Sequence, residues 1–107
     1  MTSFIGMEYL AALALIKMGQ KEISLTDLDK FRINVVKSFE QNRISSIFLF
    51  SENYALDMVR NYSDCFDLVK NGTVLKMMVE PEVLVSKFLA YLSNDVIKAA
   101  YSVQVAV

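Results

Sequence analysis

Phe66-Asp67-Leu68-Val69-Lys70-Asn71-Gly72-Thr73-Val74-Leu75-Lys76-Met77 can fold back on itself about its centre. Asn-Gly is the preferred pair of a two-residue type I′ turn, because both central positions need positive φ. A hairpin closed there pairs Lys70 with Thr73, Val69 with Val74, Leu68 with Leu75, Asp67 with Lys76 and Phe66 with Met77. Side chains alternate between the two faces of a strand, so Phe66, Leu68, Leu75 and Met77 share one face. The opposite-charge pair Asp67–Lys76 falls on the other. A slip of one residue would mix the two sets, so the pattern and the turn fix the same register independently.

Helical signals flank the hairpin. Upstream, Ser51 can cap a helix through Tyr62, with Tyr54, Ala55, Met58, Val59 and Tyr62 on one face and Glu52, Asn53, Asp57, Arg60 and Asn61 on the other. Downstream, Glu80-Pro81-Glu82 suits a helix start, since Pro fits the first turn and acids favour its positive end. Val83, Leu84, Phe88, Leu89 and Leu92 form that helix's apolar stripe. Ser93 or Asn94 can cap a further helix from Val96 to about Tyr101, so that helices occupy 81–103.

The first half of the chain reads similarly. Residues 4–18 are rich in Leu, Ala and Met and predict a helix apolar on nearly every side, closed at Gly19. A helix without a polar face is buried, either centrally or at a subunit interface. Glu22-Ile23-Ser24-Leu25 reads as a short strand. Ser24 with Asp27, or Thr26 with Asp29, then opens a helix over 25–41 whose apolar positions are Leu25, Leu28, Phe31, Val35, Val36 and Phe39. Residues 43–50 suit either a strand or a helical continuation. As a strand they would complete a three-stranded sheet from 44–50, 64–69 and 73–79.

Composition bounds the function. The 107 residues fit a single domain over 1–107, and 54% are hydrophobic against 21% charged, which excludes a disordered chain. Without histidine, no Ser-His or Cys-His relay can form within one chain. The one cysteine, Cys65, rules out an internal disulfide and a four-ligand Cys/His zinc site. It lies between Asp64 and Asp67, surroundings that disfavour a reactive thiolate. Three glycines leave no Gly-rich phosphate loop. The carboxylate pairs Glu80/Glu82 and Asp64/Asp67 accompany no further catalytic group, so we expect neither an enzyme nor a cofactor nor a bound metal. The lone thiol, and an apolar stretch at 4–18 interrupted by Glu8 and Lys17, lead us to expect a cytoplasmic protein without a membrane partner.

The resulting order is helix, short strand, helix, ambiguous segment, helix, hairpin, helix. Three stretches carry a resemblance: 14–19, closing the first helix; 22–28, leading into the second; and 62–76, a helix end running into the hairpin. In these the chain resembles a winged helix-turn-helix domain over about 14–76, at the level of fold. The expected class is thus α+β, mostly helical, with one hairpin as the wing. The resemblance implies DNA binding, with helix 51–62 in the major groove and 64–79 as the wing. Asn53, Arg60 and Asn61 would then face bases, and Lys70, Asn71 and Lys76 would lie on the wing. Charge speaks against it. The formal net charge is −1, and phosphate contacts draw their affinity from released counterions.

The hydrophobic surplus favours a protein-interaction module instead. A small domain has little interior, so a mean hydropathy of +0.35 calls for cover from outside. Symmetric dimers are the commonest solution. We therefore expect a homodimer, or an unidentified protein partner, met by helix 4–18 and the C-terminal helices, with Phe4, Met7, Leu10, Val103 and Val105 as contact candidates.

Overall fold

The computed structural model describes residues 2–105. In chain order its elements are β1 (Phe4–Gly6), α1 (Met7–Met18), β2 (Glu22–Ser24), α2 (Leu25–Gln41) and β3 (Ile47–Leu49). They continue with α3 (Tyr54–Asn61), β4 (Phe66–Val69), β5 (Val74–Met77), α4 (Pro81–Leu89) and α5 (Asn94–Ser102). Ala106 and Val107, the end of the apolar tail, lie outside the described residues. The class is α+β, as the sequence led us to expect.

The hairpin forms in the expected register, with Phe66 opposite Met77, Asp67 opposite Lys76, Leu68 opposite Leu75 and Val69 opposite Val74. Its turn is wider than a two-residue one. Lys70, Asn71 and Gly72 all have positive φ, at 53°, 59° and 78°, and Val69–Val74 is the closing pair. Thr73 leaves the hairpin ladder: its carbonyl accepts the Leu25 amide at 2.9 Å and its hydroxyl donates to the Lys70 carbonyl at 2.7 Å. A four-residue loop and a two-residue loop differ by one pair, so the register survives.

The third strand of this sheet corrects the alternative built from 44–50. Glu22–Ser24 takes the place, antiparallel to β5, and the strand order is β2-β5-β4. Residues 47–49 are indeed a strand, but they pair in parallel with Phe4–Gly6 in a separate two-stranded sheet. That pairing also corrects the helix expected over 4–18. Gly6 is extended (φ −102°, ψ 170°), and the helix begins only at Met7. The run is apolar throughout, and pairing with a strand some forty residues away decides where extended chain gives way to helix.

Local signals fixed most other boundaries. Gly19 ends α1 in the left-handed region at φ 64°, its amide donating to the Ile16 carbonyl. Ser24 Oγ accepts from the Asp27 amide at 3.1 Å, which selects the first of the two caps open at the start of α2. Ser93 likewise caps α5, accepting from the Val96 amide at 3.4 Å. At α3 the expected cap does not form. Ser51 donates to Asp57 Oδ2 at 2.8 Å instead, and the helix starts at Tyr54.

Helix α1 runs through the middle, packed most extensively on α4 and touching α2, α3, β1 and β2. Met7 and every residue from Tyr9 to Leu15 are buried. Around it lie Ile5, Ile23, Leu28, Phe31, Val35, Phe39, Phe66, Leu75, Met77, Leu84 and Val96. Of the two fates open to an all-round apolar helix, central burial within one chain is the one observed. No helix among the described residues is long and apolar enough to cross a membrane.

Candidate interaction surface around β3 and α3

Three of the five contact candidates are spent in the core of their own chain. Met7 and Leu10 are buried on α1, and Val103 is buried at the end of α5. Val105 is half-buried. Phe4 alone stands out, 55% exposed. It stands in register beside Ile47, and Gly6 beside Leu49, on the outer face of the small parallel sheet. Ile5 and Phe48 point the other way, and the Phe48 ring stacks at 5.4 Å on Phe39 of α2. Ile47 and Leu49 are 43% and 59% exposed, so the outer face is a patch of three large apolar side chains. Sequence reasoning missed Ile47 and Leu49. Alternation was present in 47–50, but both faces are apolar, so no polar residue marked the outside.

The two lysines of the hairpin stand beside acids. Lys70 Nζ lies 4.0 Å from Glu22 Oε2. Lys76 stands between two acids, in register with Glu22 on β2 and Asp67 on β4. Asn71 is exposed at the loop tip. The outer face of the three-stranded sheet thus carries an acid–base–acid row, Glu22–Lys76–Asp67, whose one cation is flanked by acids on both neighbouring strands.

Helix α3 sits against α2 through a polar link. The Tyr54 hydroxyl donates to Asp29 Oδ1 at 2.7 Å. Arg32 Nε lies 3.7 Å from the same oxygen, and its guanidinium lies 5.7 Å from the Phe50 ring centre. Burial holds the Tyr54 hydroxyl well above the ordinary tyrosine range; the bond to Asp29 and that carboxylate's charge push the same way, against the nearby Arg32. Outward, Glu52, Asn53, Leu56, Arg60 and Asn61 are exposed, and Leu56 is 56% so. Asn53, Arg60 and Asn61 are thus each exposed, together with an unforeseen leucine; Asn53 borders the cleft toward the hairpin tip and Asn61 the cleft by β3.

Two clefts flank α3. One, of about 350 Å³, opens toward the hairpin tip, floored by Leu25, Leu56 and Leu68 with Asp29 and Glu52 at its margin. The other, of about 390 Å³, lies at the carboxyl ends of β1 and β3. It is lined by Met7, Phe48, Leu49, Phe50 and Met58, with Glu8, Asp57, Asn61 and Tyr62 around them. A Cβ added at Gly6 would overlap the Glu8 carboxylate, which folds back over the start of its own helix. Burial raises the Tyr62 hydroxyl pKa, reinforced by the charges of Glu8 and Cys65. Among the described residues no group of three or more His, Cys, Asp or Glu side chains is placed to hold a metal ion.

Compared with protein-family models, curated proteins and solved structures, the chain matches none.

Proposed function

We propose that this protein is a non-catalytic interaction module of winged-helix type, which associates with a second copy of itself through the outer face of the β1–β3 sheet. The observation that carries the proposal is the patch formed by Phe4, Ile47 and Leu49. Parallel strands are normally covered on both faces, and two strands alone are marginal in water, so an apolar outer face on a two-stranded parallel sheet calls for a cover. The three side chains carry no charge, so two copies meeting there bring no like charges together at the centre of the contact. The winged-helix part is supported by the order β2-β5-β4 and by α3 running directly into the hairpin. The same proposal puts the protein in the cytoplasm, where a single thiol such as Cys65 stays reduced.

That topology also favours a second reading, in which α3 and the wing bind DNA to regulate transcription. Asn53, Arg60, Asn61, Lys70, Asn71 and Lys76 would be its contacts. Glu52 just before α3, Asp57 on it, and the pairing of Lys70 with Glu22 rank it below the first.

Light scattering and a DNA titration separate the two. The first reading expects a mass of twice 12.1 kDa, reduced to one chain by the double variant Phe4→Ser, Ile47→Ser, with no binding to random duplex DNA at low salt. A monomer that binds duplex DNA in the micromolar range, steeply weakened by added salt, would reverse the ranking.

A further inference from the structure

The cleft at the carboxyl ends of β1 and β3 has an apolar floor and an uncompensated acidic margin. Met7, Phe48, Leu49, Phe50 and Met58 supply the floor, and Glu8 and Asp57 are the charged residues of the lining, with no Lys or Arg among them. Neither carboxylate has an ion-pair partner among the described residues. Asp57 accepts one hydrogen bond, from Ser51, which leaves lone pairs free for another donor. The patch on the outer face of β3 runs into the cleft at Leu49, so an approaching chain meets continuous apolar surface before it reaches the two acids. Beside it, β3 is an edge strand. Ile47 faces β1, its amide donating to the Ser3 carbonyl at 2.8 Å, and alternation turns the Phe48 N–H and C=O to the open side.

We infer that this cleft docks a short segment of another protein in which a large apolar side chain stands next to an arginine or lysine. The apolar group seats on Met58, Phe48 and Leu49, and the cation meets Glu8 and Asp57. The open edge of β3 is available to main-chain hydrogen bonds, the usual source of affinity when an extended segment lies along a sheet. Two other occupants fit less well. A nucleic acid would bring phosphates against both carboxylates, and a metal ion would find only two of the carboxylates it needs. The inference rests on the protein-binding reading above; the cleft shares Leu49 with the self-contact patch but takes in neither Phe4 nor Ile47.

The test is selection from a displayed library of random eight-residue peptides against the full chain, repeated against Glu8→Gln, Asp57→Asn and the double variant. Far-UV circular dichroism checks each fold, and the isosteric Asp57→Asn keeps the experiment decisive where Glu8→Gln does not fold. We expect enriched peptides that pair Arg or Lys with Leu, Phe or Met. Their binding should weaken about two- to fivefold for each charge removed and fall as salt rises from 50 to 500 mM, the sensitivity expected of partly exposed charge pairs. Enrichment of acidic or uncharged peptides, equal binding by the charge variants, or no enrichment overturns the inference. The mass measurement stays independent: a dimer that selects no peptide sinks this inference alone, and a monomer that selects basic–apolar peptides sinks the self-association alone.

Discussion

Backbone conformation at single residues sets what the hairpin tip tolerates. Gly72 sits at φ 78°, and a Cβ added there would touch nothing within 4 Å. Gly72→Ala therefore isolates the cost of a left-handed backbone, and chemical denaturation should find it about 1 kcal/mol less stable than the wild type. Lys70 adopts φ 53° with a side chain in place, so Lys70→Gly should leave stability unchanged or raise it. Tyr54 is the other telling residue. Its hydroxyl donates to Asp29, and burial raises its pKa above the ordinary 10.0. Below pH 10 both folded and unfolded states keep the proton. Above it the unfolded state loses the proton first, so stability falls as pH rises. Tyr54→Phe should lower stability at pH 7 by about 1–2 kcal/mol, as expected for a hydrogen bond to a charged acceptor, and should flatten the alkaline decline measured between pH 9 and 11.

At the scale of elements, caps and turns were legible and strand partners were not. Ser24 and Asp27 announced the start of α2 by a spacing of three residues, and the hydrogen bond between them is present. Ser24→Ala should cost about 1 kcal/mol, whereas Thr26→Ala, at an exposed position within the helix, should change denaturation midpoints little. Ser51 carried a similar signal and failed. Its hydroxyl donates to Asp57 and accepts no backbone N–H, and the helix starts three residues later at Tyr54, so a capping residue type does not by itself decide where a helix starts. The hairpin was readable because its two strands are joined by the turn that sets their register. The pairing of β1 with β3 was not, since Phe4-Ile5-Gly6 has no local feature that tells three extended residues from the first turn of an apolar helix.

For the whole molecule, burial of α1 redistributes the hydrophobic surplus. Leu10 looked like a contact residue and is fully buried in its own chain. Leu10→Ala should therefore lower stability by about 2–5 kcal/mol in denaturant without altering the mass by light scattering of the protein that remains folded. A change in mass with stability intact would return α1 to an interface. Exposed large apolar side chains remain on several elements, among them Ile33 on α2, Val83 and Leu89 on α4 and Tyr101 on α5, while Phe4, Ile47 and Leu49 are the ones that stand together on paired strands, next to the cleft bordered by Glu8 and Asp57. Association through that surface should thus respond to salt in opposite ways. Self-contact at Phe4 and Ile47 has no charge to screen, while a basic partner at Glu8 and Asp57 loses attraction as salt is added.

Composition and short-range spacing by themselves determined the α+β class, the hairpin and its register, the span of α2, and the lack of histidine-based chemistry. Each depends on residues within a few positions of one another, or on residue types that are absent. Tertiary structure alone decided which strand completes the hairpin sheet, that α1 is an internal helix, that Glu22 stands beside both Lys70 and Lys76, and that Glu8 and Asp57 border one cleft. Those facts follow from segments brought together across long stretches of chain, where every apolar face competes for the same small interior and no local pattern records which of them wins.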